Sequence, residues 1–419
     1  MYLLEILVFL IILFFSLFAY IKIKYPFWNI QPVFHKYDFW RSFYNTPFII
    51  YKHCPIKTKF CDFENTKTTN YLECSPEQQK ILIDLIQCYY IPSDRVTHNI
   101  DLKKIDTLFI GNREPGFVSI YYENTYDISQ NTIIETKTPK GCISSRSMQF
   151  FFRESFDSVV YKELTIYFID YLCVRRDHNT TKINRILLQT HEYNQRIQNP
   201  SVSISLLKKE VELFDGVVPF ILYSTSSYVL RKINYPSLPA HFFIKRINKT
   251  NIDLLVDFIH IQTHYYYQKE NPCLFDACII TEMGSITERI IQGSLYAYCL
   301  QRGKNIYGYY FFKDSFTEYE DIRNKSGDSG GCLHMIASVM NIKSGELFYQ
   351  GFIHSLYDIL KINKNYKMLL FDKISHNVLL LSYWNRRFST VFTNPSAYYL
   401  YNMVFPKGLF NAERTFVLI

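Results

Sequence analysis

Three stretches of this chain carry residue types able to do chemistry. The last residues, Thr415-Phe-Val-Leu-Ile419, form an apolar tail whose only new ionisable group is the α-carboxylate of Ile419. In water such a carboxylate, with a pKa of roughly 3.3–3.7, is too weak a base to be useful. Apolar surroundings would raise it into a working range. Mid-chain, Arg175-Arg-Asp-His-Asn-Thr-Thr-Lys182 leaves an apolar run and enters a helical pattern. Asn179, Thr180 and Thr181 suit a helix cap. A helix N-terminus with loop amides and the charges of Arg175, Arg176 and Lys182 makes an anion site by geometry and dipole. The same residues also fit an ordinary solvated cap. Finally, Gly327-Asp-Ser-Gly-Gly331 copies the nucleophile string of serine proteases. A protease needs a His base and an Asp orienter in their own contexts, and no matching His segment lies upstream. The Gly pair reads instead as a turn between strands.

These residues need elements to position them. Residues 164–174, LTIYFIDYLCV, are nearly all apolar, as in a central strand covered on both faces. Residues 183–196 then place Ile183, Ile186, Leu187 and Thr190 on one helical face. Residues 141–152 read as a strand. Residues 76–90 read as a helix opened by Ser75-Pro76 as cap and first residue. Residues 22–70 look irregular, interrupted by Pro26, Pro32, Pro47 and Pro55. From Phe242 a similar layout restarts: a helix near 251–261, strands at 293–300, 306–313, 333–342 and 368–374, and a helix at 346–362. The fold class predicted is α/β (α+β), in two tandem halves at 22–240 and 241–419. No close sequence repeat links them.

In front of these halves, residues 1–21 carry a single charge, Glu5. That many helical residues reach about 31 Å, enough to cross a hydrocarbon core of ~30 Å. The run lacks the positive start and small-residue cleavage site of a signal peptide, so an uncleaved anchor is expected. Lys22, Lys24, Lys36 and Arg41 follow the span, which predicts a single-pass membrane protein with its large part in the cytosol. Net charge is +8, with no basic block that points to nucleic acid. Such a surface suits CoA phosphates or lipid headgroups. Ten cysteines show no zinc spacing and read as free thiols in a reducing compartment. No metal is expected. The Asn179, Asn248 and Asn324 sequons are read as chance, and a monomer is the working expectation.

Two strings resemble one known family. Tyr25-Pro-Phe-Trp-Asn-Ile-Gln-Pro-Val33 is similar to the Tyr-x-Phe-Trp-x-x-Gln-Pro-Val segment that opens the catalytic core of N-myristoyltransferases. Tyr398-Tyr-Leu-Tyr-Asn402 matches that family's Tyr-Tyr-Leu-Tyr-Asn outright. Membrane-interface aromatics account for Tyr25, Phe27 and Trp28 but not for Gln31-Pro32-Val33. Weaker likenesses fall at Asn112-Arg-Glu-Pro-Gly-Phe117, Gly141-Cys-Ile-Ser144, Ile169-Asp-Tyr-Leu-Cys-Val174 and Gly216-Val-Val-Pro219.

The resemblance implies two acetyltransferase-like (GNAT) halves and a fatty-acyl transfer from myristoyl-CoA to an N-terminal glycine. It implies that Tyr25, Phe27 and Trp28 touch the nucleotide. The 175–182 loop would receive the pyrophosphate. The main-chain amides of Tyr171 and Leu172 would hold the thioester oxygen, the Ile419 carboxylate would be the base, and Tyr228 would line the peptide groove. The chain also departs from the family. The usual Arg-Ser-Lys-Arg of the phosphate loop is Asn179-Thr-Thr-Lys182, the Gly-Asp-Gly loop is replaced at Phe392-Thr-Asn-Pro395, and the acidic loop for basic peptide residues is missing near Ile91-Pro-Ser-Asp-Arg95. These changes put another acyl donor or acceptor beside the first reading, and also a non-catalytic lipid-binding scaffold.

Overall fold

The computed structural model describes residues 2–91, 93, 96–129, 132–153, 161–176, 179–231, 233, 235, 237–264, 275–320, 329–406 and 409–419. Helix α1 (Tyr2–Lys24) comes first, and its 4–24 stretch is not buried inside the protein. A mostly irregular strap follows, broken by α2 (Phe39–Ser42), β1 (Phe48–Ile49) and β2 (Thr66–Asn70). The strap leads into α3 (Pro76–Tyr89), β3 (Val96–His98) and α4 (Leu102–Phe109). Helix α3 starts where predicted. Ser75 accepts from the Gln78 amide, Gln78 bonds back, and Leu82, Leu85 and Ile86 are buried.

The first repeated unit is β4 (Phe117–Ser129), β5 (Thr132–Arg153), β6 (Tyr161–Val174), α5 (Thr180–Gln198) and β7 (Ser205–Glu210). Strands β4, β5 and β6 run antiparallel; α5 then carries the chain back so that β7 lies parallel to β6. After β8 (Ile221–Val229), β9 (Phe242–Arg246), α6 (Asp253–His264), β10 (Ala277–Thr281) and α7 (Met283–Ile291), the scheme repeats. Here β11 (Leu295–Arg302), β12 (Asn305–Glu320) and β13 (Ser329–Met340) are antiparallel, and α8 (Gly345–Ile362) returns the chain to β14 (Tyr366–Asp372), parallel to β13. The chain closes with α9 (Asn377–Trp384), β15 (Phe392–Tyr401), β16 (Met403–Val404) and β17 (Thr415–Leu418). The α/β class with two repeated halves is therefore borne out.

The halves share one 15-stranded sheet, in the order β17-β10-β5-β6-β7-β15-β8-β14-β13-β12-β11-β9. They interleave within it. Strand β8 lies among late strands, while β10 and β17 sit on the edge of the first unit. Helix α5 covers one face of the first unit through Ile183, Ile186 and Leu187, and α3 and α4 cover the other through Leu85, Ile86 and Leu108. Helices α8 and α9 pack the second unit around Phe352, Leu356 and Trp384.

The two strongest sequence strings meet in space. Val33 bridges Tyr401, the Tyr401 hydroxyl donates to Gln31 Oε1 at 2.7 Å, and the Asn402 amide donates to the Pro32 carbonyl at 2.6 Å. Asn402 has φ 67°, a left-handed conformation that Asn tolerates, and its side chain ties Tyr51 and Ser203. These residues join the strap to the centre of the sheet. The expected turn at Gly327–Gly331 is corrected in part. Gly327 and Asp328 lie outside the described residues, but Ser329, Gly330 and Gly331 belong to β13. Gly330 is needed because a Cβ there would run into the Lys367 side chain of β14 at 2.1 Å.

Candidate functional site

The site begins with an irregularity in β6. Opposite Ile143, two residues of β6 stand where one would fit, so the ladder steps from Ser144↔Asp170 to Cys142↔Cys173. This is a β-bulge, and it takes Tyr171 and Leu172 out of regular pairing. Tyr171 adopts φ 50°, and its amide points to its neighbour, donating to Asp170 Oδ1 at 3.0 Å. The Tyr171 ring turns to the α3 side, against Tyr90 and His98. Leu172 is half-buried on the α5 side, and Cys142 and Cys173 flank the bulge with their Sγ atoms 3.3 Å apart.

Beside the bulge the sheet opens. Strands β6 and β7 pair only from Tyr167↔Ser205 to Ile169↔Leu207, after which β7 stays with β15 and β6 diverges. The wedge thus opens at the level of Asp170 and Tyr171. The second unit has the same bulge, with Ile336 as the extra residue, and the same parting of β13 from β14. There the wedge is filled. Ser375 Oγ and His376 Nδ1 accept from the Ser338 and Met340 amides, and Asn377 Nδ2 donates to the Met335 carbonyl. Only the first unit keeps its bulge facing open space, so any ligand chemistry belongs there.

One face of the sheet supplies the wedge with charge. Side chains alternate along a strand. Met148, Ile166, Phe168, Leu206, Val417 and Ile419 form one apolar cluster. Stepping by two from these residues brings Arg146 on β5, Asp170 on β6 and Lys208 and Glu210 on β7 to the same face. Lys208 pairs with Glu210 at 2.5 Å. Glu210 keeps half its side-chain surface accessible although protein surrounds it, so it faces a cleft rather than the outer surface. Further along, His334 Nε2 lies 3.0 Å from Asp372 Oδ1, which also accepts from Thr225 Oγ1 at 2.6 Å. Burial lowers His334 and pulls His98 down to about 4, so both are neutral imidazoles at physiological pH. Burial, aided by Lys208 and Arg289, draws Lys313 down to about 8.

The predicted residues fall into three groups. Tyr171 and Leu172 sit at the bulge. Arg175 follows the strand, and its amide donates to the Lys140 carbonyl. Arg176 donates to the Ile91 carbonyl at 3.1 Å, while Asp177 and His178 lie outside the described residues. Asn179 caps α5 by accepting from the Lys182 amide at 3.1 Å. Thr180 and Thr181 are the first helical residues, whose amides have no partner within the helix, and Thr181 and Lys182 are exposed. Phe27 reaches this end of α5, clustered with Ile183 and with Arg185 over its ring, and Trp28 packs on Phe27 and Phe214. Tyr25 stands apart, stacked on Tyr37 and lying over Gly216, where a Cβ would come within 2.8 Å of the ring.

Ile419 is 5 % exposed, on the apolar face. Strand β17 runs parallel to β10, with Leu418 opposite Ile280, and Thr281 Oγ1 donates to the Leu418 carbonyl at 3.0 Å. Ile419 is therefore level with Thr281, Met148 and Ile166, with Arg146 between that level and Asp170. Tyr228 requires a correction. Its side chain is wholly buried among Phe371 and Trp384, and its hydroxyl donates to Asn385 Oδ1 at 2.7 Å. With both ring and hydroxyl engaged, it supports the second unit's core and does not line a groove. Asp170, Arg146, Lys208, Lys313 and Arg289 were missed. Each is a lone charge in an apolar or mixed run, and only the wedge gives them a common destination.

The architecture is thus a two-unit mixed α/β fold with one open, bulged wedge, ending in a strand beside the first unit. No protein-family profile matches the chain, and no curated protein matches it in sequence. By shape it is similar to crystal structures of Saccharomyces cerevisiae N-myristoyltransferase. One with bound myristoyl-CoA superposes with a TM-score of 0.62 at 13% identity, covering 91% of this chain and 93% of that one. Another with bound myristoyl-CoA gives 0.65 at 14% identity, over 94% and 89%. A third, with myristoyl-CoA and inhibitors, gives 0.64 at 14% identity, over 94% and 96%. The chain has the N-myristoyltransferase fold.

Proposed function

We propose that this protein is a membrane-anchored acyltransferase that moves a fatty acyl group, myristoyl by resemblance, from acyl-CoA to the N-terminal glycine amine of a protein. The observation that carries this reading is the open bulge at Tyr171–Leu172, a few residues before the capped N-terminus of α5. A thioester needs fixed donors aimed at its developing oxyanion, and amides turned out of a ladder are such donors. A CoA pyrophosphate needs the amides and dipole of a helix start, which Thr180 and Thr181 offer, with Arg175, Arg176 and Lys182 nearby. Phe27 and Trp28 lie at that same end of the helix. The similar yeast structures hold myristoyl-CoA, which supports the choice of donor.

In the proposed reaction the acceptor's ammonium gives one proton to the Ile419 carboxylate. The freed amine attacks the thioester carbon, a C–N bond forms, and the carbonyl charge falls on the Tyr171 and Leu172 amides. The C–S bond then breaks, and the second proton lost by nitrogen ends on the departing CoA thiolate. For the oxyanion to use the Tyr171 amide, Asp170 must release it. Helix α1 would hold the protein in the bilayer, with the positive residues behind it placing the enzyme in the cytosol. The test is CoA release from myristoyl-CoA with a panel of glycyl peptides, together with mass spectrometry of ligand co-purifying with the detergent-solubilised protein. Peptide-dependent CoA release and a bound acyl-CoA are expected. Folded protein that releases no CoA with any glycyl peptide overturns the reading.

A further inference from the structure

Arg289 is the least provided-for charge among the described residues of the wedge. It comes from α7, is 4 % exposed, and its guanidinium makes no hydrogen bond or ion pair with a described residue; its Nη1 is buried without a partner. Arg146, from β5, is 3 % exposed. Its one bond is from Nη1 to Thr281 Oγ1 at 3.3 Å, and its Nε is buried and unpartnered. The two guanidiniums are close enough to repel. Burial, with Arg146 next, brings Arg289 down to about 9. Lys313 adds a third positive charge to the same field, and Asp170 is the near counter-charge for all three. Asp170 is already engaged by the Tyr171 amide. A desolvated arginine with no acceptor is unstable unless an anion arrives.

The location says which ligand brings that anion. Arg146 lies on the face that carries Ile419 and Asp170, between the proposed base and the bulge. The CoA phosphates would lie elsewhere, at the α5 N-terminus. We infer that Arg146, Arg289 and Lys313 form a carboxylate-reading subsite for the acceptor, so that the preferred acceptor carries an acidic side chain close to its reacting amine. Arg146 is opposite Phe168, two residues before Asp170, or roughly 7 Å along the strand. That reach matches the second or third residue of the acceptor. Guanidinium forks suit carboxylates, and two converging forks reject an amide isostere. The inference rests on the proposed acyl transfer but is tested separately from it.

The test compares glycyl peptides with Glu, Gln or Lys at the second and third positions, along with free glycine. CoA release is measured with myristoyl-CoA, and peptide binding by fluorescence anisotropy in the presence of a non-reactive acyl-CoA analogue. The Glu peptides are expected to exceed their Gln isosteres at least tenfold in kcat/KM and in affinity, with Lys peptides lowest. In Arg289→Gln that ratio should collapse to about two. Arg289→Lys, which keeps a charge without the fork, should give an intermediate ratio and guards against a misfolded first variant. Equal use of Glu and Gln peptides overturns the subsite while leaving acyl transfer standing. A Glu preference in binding without CoA release supports the subsite and removes the acyl transfer. Binding of free glycine as tightly as the Glu peptides, an unchanged ratio in both variants, or no binding of any peptide, overturns the subsite.

Discussion

Replacing the Ile419 carboxylate by a carboxamide, through ligation of a synthetic C-terminal segment, isolates the base from the strand that carries it. The Ile419 side chain is 5 % exposed and packs with Met148, Ile166, Phe168 and Leu206. An amide of the same shape keeps that packing, the β17–β10 ladder and the Thr281 bond to Leu418. Stability should therefore change little. What is lost is a group able to take a proton, and general bases contribute typically about 10²–10⁴ in rate, or ~3–5 kcal/mol of barrier. A contrasting variant, Ile419→Ala, keeps the carboxylate and deletes the packing. Truncation of a buried Ile costs about 2–5 kcal/mol of stability. CoA release measured by thiol capture, acyl-CoA binding by calorimetry and thermal unfolding together separate the two. The carboxamide should lose at least a hundredfold in turnover with acyl-CoA affinity and melting unchanged, and Ile419→Ala should melt lower and keep most turnover per folded molecule. Adding a few residues after Ile419 should likewise abolish turnover and spare acyl-CoA binding. Turnover of the carboxamide within threefold of the parent would refute the assignment.

Other expectations follow from single residues. Glu192 is buried with Oε1 unpartnered, and burial lifts its carboxyl from 4.5 to about 7. The folded protein then holds a proton that the unfolded chain releases between those values, so this residue's contribution to stability falls as pH rises from 4.5 through 7, by about 3 kcal/mol in all. Glu192→Gln should remove that slope and stabilise the protein most above pH 7, seen in urea unfolding at pH 5 and 8; parallel pH profiles would contradict it. Tyr228→Phe should cost about 1 kcal/mol by orphaning Asn385, with no change in peptide KM. Deleting residues 2–24 should move the protein from the membrane pellet to the supernatant with acyl-CoA binding retained; continued pelleting would point to a second membrane contact.

Much of the fold was legible in the sequence because local rules governed it. Ser75-Pro76 with Gln78 specified the start of α3, the near-continuous apolar run at 164–174 specified a strand covered on both faces, and Asn179 marked the start of α5. The long apolar run before Lys22 specified a helix able to span a bilayer. The Gln31-Pro32-Val33 and Tyr398–Asn402 strings were recognisable without being understandable, because their reason is mutual contact across the whole chain. Tyr228 sat in a recognisable string for the opposite reason, as a core residue that no local pattern separates from a groove residue.

Tertiary structure alone decided which bulge is a site. Both units bend the same strand in the same way, and only the packing of Ser375, His376 and Asn377 closes one wedge while the other stays open. It alone brought Arg146, Asp170, Lys208, Arg289 and Lys313 together, from strands and a helix far apart in sequence. Period-two alternation says which face a side chain takes, but not which distant strand lies beside it. The hydrogen-bonding register sets that neighbour, and the electrostatics of the site follow from it.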